Sequence, residues 1–407
     1  MKYIKRHIET VIEVARGNYP AILVTGPRQV GKSTVLREMY PNFNYETMDD
    51  LAINAAVQSD PLGYLRMQGT PFIIDEVQKV PALFGSLKYV IDKDREMGAY
   101  LLTGSQKFEL MNGVSESLSG RISVIDLLGL SLREIFKDEW SEPFLPVKDY
   151  LLKRPFACIH TPGALWDIIH KGSMPALYEK PDRDPERYYA DYVSTYIERD
   201  VRQIIKVEDS LTFMQFLVAL AGRTGEILNM DSLAKDVGVS APTIKKWLSV
   251  LQASGIIYLL QPFSLNAAKR VIKSPKVYFT DTGLVCYLCK WLTKETLMNG
   301  AQAGAIFETF IVSEIIKSYY NAGIEPPIYF FRTKDGQEID LLFWQDGTLY
   351  PLEIKKTASP NVKDIKHFAA LAAHFPSVKI GEGGIVCKVE KLLPLGERNV
   401  AIPIEYI

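Results

Sequence analysis

The nine residues GPRQVGKST at positions 26–34 follow an apolar run, AILVT, and open an amphipathic stretch. The spacing GxxxxGK[ST] between a strand and a helix is that of a loop that wraps phosphate. Gly26 and Gly31 let backbone N–H groups close around an anion, and the following helix turns its positive end toward it. Pro27, Arg28, Gln29 and Val30 complete the loop, and Thr34 follows it. In that chemistry Lys32 bridges the β- and γ-phosphates of a nucleoside triphosphate such as ATP, and the Ser33 hydroxyl ligates Mg²⁺.

A second run, FIIDEVQ, places Asp75 and Glu76 after four residues of strand character, at the carboxyl end where open α/β sheets bind ligands. Asp75 suits a water-mediated hold on the magnesium, and Glu76 suits polarising the attacking water. The next run, AYLLTGSQ, brings Thr103 and Ser105 to the same edge. A hydroxyl there can orient the water or sense the γ-phosphate, and it can equally serve only to turn the chain. Arg121 precedes the last strand of this region, in SGRISVIDLL. Its spacing fits both an arginine that neutralises charge on a transferring phosphoryl group and an ordinary surface arginine.

Far downstream lies a different set. Asp340 sits in EIDLLF, and Glu353 and Lys355 are two residues apart in LYPLEIKK. Alternation along a strand puts Glu353 and Lys355 on one face. Pairing of the two strands adds Asp340, which assembles the groups for a metal-assisted attack of water on a phosphodiester. The same patterns also describe edge strands with a solvated face.

The elements that must position these groups follow from periodicity. AILVTG, FNYETM, PFIIDEV, AYLLTGS and ISVIDLL alternate with helical stretches over 1–136, which predicts an α/β domain with a parallel sheet. A connector with prolines and aromatics spans 137–185. A mostly helical segment follows at 186–275, and a second α/β region, with a long helix GAIFETFIVSEIIKSYY, occupies 276–407. Within the helical segment, Ala234, Gly238, Val239, Ile244 and Trp247 have the spacing of a helix-turn-helix, and the strand IIYLLQPF after it suggests a winged form. If it reads DNA, the helix starting near Ala241 enters the major groove, with Lys245 and Lys246 near phosphates and Thr243 near a base edge; the same spacing also suits packing or protein contact. YIERDV at 196–201, with Glu198, Arg199 and Asp200, reads as an ion-paired helix.

Global composition narrows the classes. With 407 residues, 47% hydrophobic and 23% charged, the chain is globular and long enough for two or three domains, and its formal net charge of -1 exerts no overall pull on nucleic acid or anionic lipid. No stretch suits a bilayer span, and the sparse Cys158, Cys286, Cys289 and Cys387 without a secretory signal fit reduced thiols in the cytoplasm. Cys286 and Cys289 read as neighbouring core thiols rather than half a zinc site. His7, His160, His170, His367 and His374 lack metal-site spacing. The first six residues read as an amphipathic helix.

Taken together, GPRQVGKST, FIIDEVQKVP, LLTGSQ and LSGRISVIDLLGLSLREI resemble the AAA-type P-loop ATPases of bacteria and archaea that carry a C-terminal domain of unknown function. SMPAL, YIERDV and KVYFTDTGL extend the resemblance over nearly the whole chain. It implies nucleotide-site roles for Lys32, Ser33, Asp75, Glu76, Ser105 and Arg121, with Arg121 acting across an interface in a homo-oligomer. The tail resembles the restriction-endonuclease-like fold, in which an acid from an initial helix, here Glu308, joins Asp340 and Glu353 as a metal ligand. Three functions remain open on this reading: an ATPase serving a nucleic-acid-related or regulatory task, an ATP-controlled nuclease, and a nucleotide-dependent switch that binds a partner protein.

Overall fold

The computed structural model describes residues 3–105, 117–154, 162–195, 210–266 and 274–407. The segment YIERDV, Cys158 and His160 lie outside them. Strands β1 (Ala21–Thr25), β2 (Asn44–Thr47), β3 (Phe72–Asp75), β4 (Tyr100–Gly104) and β5 (Ile122–Asp126) form one sheet in the order β2-β3-β4-β1-β5. All its pairings are parallel, as expected. β1 and β4 are buried along their whole length, which is why they read as unbroken apolar runs.

The two faces of this sheet belong to different cores. Ala21 and Leu23 of β1 join Phe72, Ile74 and Leu102 in a core closed by the helix Ala82–Asp94. Ile22 and Val24 face a larger core that runs through the helical middle to Tyr406 and Ile407. One face of the sheet is therefore completed by chain nearly 400 residues distant.

The first helix spans Ile8–Asn18, and Tyr3 to Arg6 form no helix, contrary to the amphipathic start expected. The reason is Arg6, which is 3% exposed. It donates from Nε to Glu134 at 3.0 Å and from its Nη atoms to the carbonyls of Val30, Leu128 and Gly129. The stretch expected as a connector with prolines and aromatics contains the helices Lys148–Lys153, Pro162–Lys171 and Pro175–Glu179.

The helix-turn-helix spacing corresponds to helices Met230–Val237 and Ala241–Ala253. Gly238 ends the first in the left-handed region (φ 77°), and Ser240 caps the second through the Thr243 amide. Trp247 anchors the pair between Phe213 and Phe216 of the helix Ser210–Ala221. After this pair, β6 (Ile257–Leu260) runs antiparallel to β7 (Lys276–Phe279), so the boundary expected at 275 falls between the strands of one hairpin.

The tail carries the helix Ala303–Tyr320 and a mixed sheet. β8 (Ile328–Arg332), β9 (Glu338–Gln345) and β10 (Thr348–Ile354) form an antiparallel meander. Parallel additions follow: β11 (Lys379–Ile380) and β12 (Gly383–Cys387) on β10, then β14 (Asn399–Pro403) on β12, with β13 (Leu393–Pro394) closing the edge. The long helix is buried almost all round, including Glu314 and Lys317. These two pair at 2.8 Å and bond the backbone of Leu132 and Leu130, fastening the tail to the exit of β5. Among the described residues no helix is long and apolar enough to cross a membrane.

Candidate functional site

The phosphate loop leaves β1 through Gly26 (φ 141°), where a Cβ would lie 2.0 Å from the Leu127 carbonyl. It enters the helix Lys32–Met39 through Gly31 (φ 94°). Lys32 is buried, and its ammonium donates to the carbonyls of Gly26 and Pro27 at 3.2 and 2.8 Å. Burial pulls its pKa down to about 8, against the opposing pull of Glu76 and Asp75.

The carboxyl ends of β3 and β4 meet this loop. Asp75 accepts from Ser33 Oγ at 2.6 Å, from Tyr45 OH at 2.8 Å and from Thr103 Oγ1. Glu76 stands in the left-handed region (φ 53°), a sparsely populated conformation for a residue with a side chain. Its amide donates to Thr103 Oγ1, and its carboxylate accepts from Gln78 Nε2 and, at 3.4 Å, from Ser105 Oγ. The structure thus brings Lys32, Ser33, Asp75, Glu76, Thr103 and Ser105 to one sheet edge.

Arg121 does not join them. It precedes the first residue of β5, at the edge opposite the phosphate loop, and so lies roughly 16 Å of strand away. Its guanidinium pairs with Asp92 on the helix Ala82–Asp94.

Sequence reasoning missed the residues that brace the loop. Arg6 holds Val30, Tyr188 donates to Gln29 Oε1 at 2.6 Å, and Gly255 lies against Pro27 so closely that a Cβ would come within 2.8 Å of its Cδ. Gly255 is the turn between the second helix of the helix-turn-helix and β6. A cleft of about 510 Å³ opens beside it, lined by Gly26, Asp126, Gln252, Tyr258 and Tyr320 among others. These contacts span large sequence separations, and no local pattern signals them.

The KVYFTDTGL and SMPAL stretches also acquire a physical role. Asp281 caps the helix Thr282–Leu288 through the Leu284 amide and accepts from Ser173 N, Ser173 Oγ and Tyr189 OH, all at 2.7–2.8 Å. Gly172 and Gly283 leave room for the Tyr189 hydroxyl, which a Cβ at either would approach within 2.5 Å. Cys286 on that helix is a buried free thiol, pushed up in pKa by its burial, and Cys289 follows it.

In the tail, Asp340, Glu353 and Lys355 come together as the strand pattern implied. Lys355 lies 2.8 Å from Glu353 and 3.4 Å from Asp340, which also accepts from the Ile354 amide at 2.9 Å. Burial first, then the nearby Asp340, raises the Glu353 pKa to about 9. Glu308 does not complete a metal-ligand trio. It accepts from Tyr278 OH at 2.6 Å and pairs with Lys276 at 3.4 Å, and burial, then Asp340, raises its pKa to about 7. Lys276 also reaches Glu338 at 2.6 Å and lies 4.0 Å from Asp340. Among the described residues no group of three or more His, Cys, Asp or Glu is arranged to hold a metal ion. Lys276 and Lys355 engage the carboxylates of Glu308, Asp340 and Glu353.

Comparison with known proteins separates the chain into three matched stretches. Residues 18–136 match the AAA domain family. Over this stretch the chain is similar to AAA-type P-loop ATPases. Residues 163–295 and 303–407 match two domains of unknown function, DUF8612 and DUF4143. Uncharacterized proteins of Mycobacterium bovis and Mycobacterium tuberculosis are each 27% identical over 390 residues, covering 95% of this chain and 81% of their own. Among solved structures, the Walker-type ATPase of Pyrococcus abyssi is 15% identical, with a TM-score of 0.46 over 70% of this chain and 96% of that one. The RuvB Holliday junction branch migration motor of Thermotoga maritima is 16% identical, with a TM-score of 0.27 over 65% and 94%.

Proposed function

We propose that the chain is a Mg²⁺-dependent ATPase whose turnover serves a nucleic-acid-related or regulatory task through its helix-turn-helix. The observation that carries this reading is the convergence of Lys32, Ser33, Asp75 and Glu76 at one sheet edge. The donor set fits magnesium: Ser33 Oγ and Asp75 Oδ1 are 2.6 Å apart, a hydroxyl and a carboxylate that would hold the ion directly and through water. When bound, the ion neutralises charge on the β- and γ-phosphates. Lys32 exchanges the carbonyls of Gly26 and Pro27 for phosphate oxygens, and Glu76, held by Gln78 and Ser105, takes a proton from the attacking water.

On this reading residues 1–136 form the ATPase domain, 137–185 a connector, 186–275 a winged helix-turn-helix and 276–407 a restriction-endonuclease-like α/β domain. The contact of Gly255 with Pro27 supports a nucleotide-dependent switch as the second reading. Any shift of the phosphate loop on nucleotide binding meets the exit of the helix that would enter DNA. Exposed Lys245 and Lys246 on that helix are its phosphate-facing cations. ATP hydrolysis measured with and without DNA, RNA and no polymer tests the proposal. Stimulation by one polymer supports a nucleic-acid task, and an unstimulated but measurable rate supports the switch. Absence of ATP binding and turnover overturns both.

Lys32→Ala is expected to weaken ATP binding by about tenfold or more, the loss of one charge-assisted contact of about 1.5–3 kcal/mol. Isothermal titration measures it. The same lysine sets a pH dependence. Free, it loses its proton near pH 8, and phosphate oxygens favour the charged form, so binding above that pH takes up a proton. ATP affinity is expected to be level below about pH 7 and to fall as pH rises through 8 and beyond. Proton uptake is read from titrations at pH 9 in buffers of different ionisation enthalpy, and equal heats in all of them contradict the assignment.

Arg121, at the sheet edge opposite the phosphate loop, is proposed as a finger for a neighbouring copy. Mixing Arg121→Ala with Lys32→Ala chains should restore part of the hydrolysis that each lacks alone. Mixed oligomers without recovery would remove the role.

A further inference from the structure

The tail cluster contains a cation that belongs to another element. Lys276 comes from β7 of the helix-turn-helix hairpin, whereas Glu308 lies on the long tail helix and Glu338 and Asp340 on β9. Its ammonium is 2.6 Å from Glu338, 3.4 Å from Glu308 and 4.0 Å from Asp340. The side chain is 4% exposed and passes over the Phe330 ring, 5.8 Å from its centroid. Its backbone is held on both sides, paired with Leu260 in the hairpin and bridged to Ile227. Tyr278, two residues along the same face of β7, gives Glu308 its second donor. The remaining charge is met locally, Arg332 pairing with Glu338 and Lys355 with Glu353 and Asp340.

We propose that the Lys276 ammonium occupies the place a divalent cation would take among these carboxylates, so that the cluster is an ionic clasp rather than a metal-dependent nuclease centre. The clasp joins the helix-turn-helix hairpin to the long helix and sheet of the tail. A metal ion entering beside Lys276 would be repelled by it at contact distance and would find the Glu308 and Asp340 oxygens already engaged. A buried lysine among three carboxylates supplies the compensating charge that otherwise calls for an ion.

The test uses the full chain without nucleotide and Mn²⁺ as the only ligand, titrated by calorimetry and by the electron spin resonance of free Mn²⁺. The parent and Asp340→Asn are expected to give the same isotherm, and DNA and RNA digests with Mn²⁺ to stay uncut. Lys276→Met, which keeps the stem and removes the charge, is expected to gain one site per chain, at least tenfold tighter than any parental binding. Adding Asp340→Asn should remove that site. A parental Mn²⁺ site that Asp340→Asn abolishes overturns the proposal, as does folded Lys276→Met with no gain. Where Lys276→Met does not fold, the comparison of the parent with Asp340→Asn still decides.

Discussion

Glu76→Gln is expected to bind ATP with near-parental affinity and to lose about two to four orders of magnitude in turnover, the usual range for removing a positioned proton acceptor. The substitution keeps the shape and the hydrogen-bonding oxygen that Gln78 and Ser105 address, but the amide takes no proton. The Lys32 and Ser33 contacts remain, so binding and chemistry separate. That split distinguishes Glu76 from Lys32, whose loss acts first on binding. Turnover is read by phosphate release under saturating ATP, and affinity by titration with a non-hydrolysable analogue. A parental rate in Glu76→Gln would move the base elsewhere, with Asp75 and Asp126 both carboxylates at the carboxyl ends of strands in that sheet.

Asp281→Ala is expected to cost about 3–5 kcal/mol of stability, which places it among the exceptional single substitutions. Four donors converge on this carboxylate: the amides of Ser173 and Leu284, the Ser173 hydroxyl and the Tyr189 hydroxyl. Asp281 is 5% exposed, and Tyr189 and Ser173 are buried with it, so the donors left behind cannot turn to bulk water. Each buried donor without a partner costs about 1–3 kcal/mol, partly relieved by relaxation. Asp281→Asn, which keeps one acceptor oxygen but turns an amide toward donors, should fall between the parent and alanine. Urea unfolding followed by tryptophan fluorescence measures the series, and a loss below about 1 kcal/mol for Asp281→Ala would show that the four donors find other partners. The same network connects SMPAL to TDTGL, motifs that by themselves carry no catalytic group.

The chain's own order determined the parts of the fold that rest on local physics. The strand–loop–helix around GPRQVGKST, the acid pair closing β3, the αL turn at Gly238 and the alternation that puts Glu353 beside Lys355 are all short-range consequences of backbone preference and period. Strand identity was legible for β1 to β5 and for β8 to β10, because their apolar runs are long or their alternation clear. β11 and β13, two residues each, leave no periodic trace.

Tertiary structure decided which charges meet. Arg6 reads as part of an amphipathic helical start, yet its guanidinium is buried against Glu134, 128 residues away. Arg121 reads as a candidate for the nucleotide site, but the parallel register of β5 with β1 puts it at the opposite edge. No local pattern marks Lys276, and only the docking of its hairpin against β9 and the long helix places it among Glu308, Glu338 and Asp340. For Arg6 and Lys276, both buried, the reason is the same. Period and propensity act over a few residues along the chain, whereas the partner of a buried charge is chosen by how whole elements pack, since only burial makes an unpaired charge costly enough to dictate the arrangement.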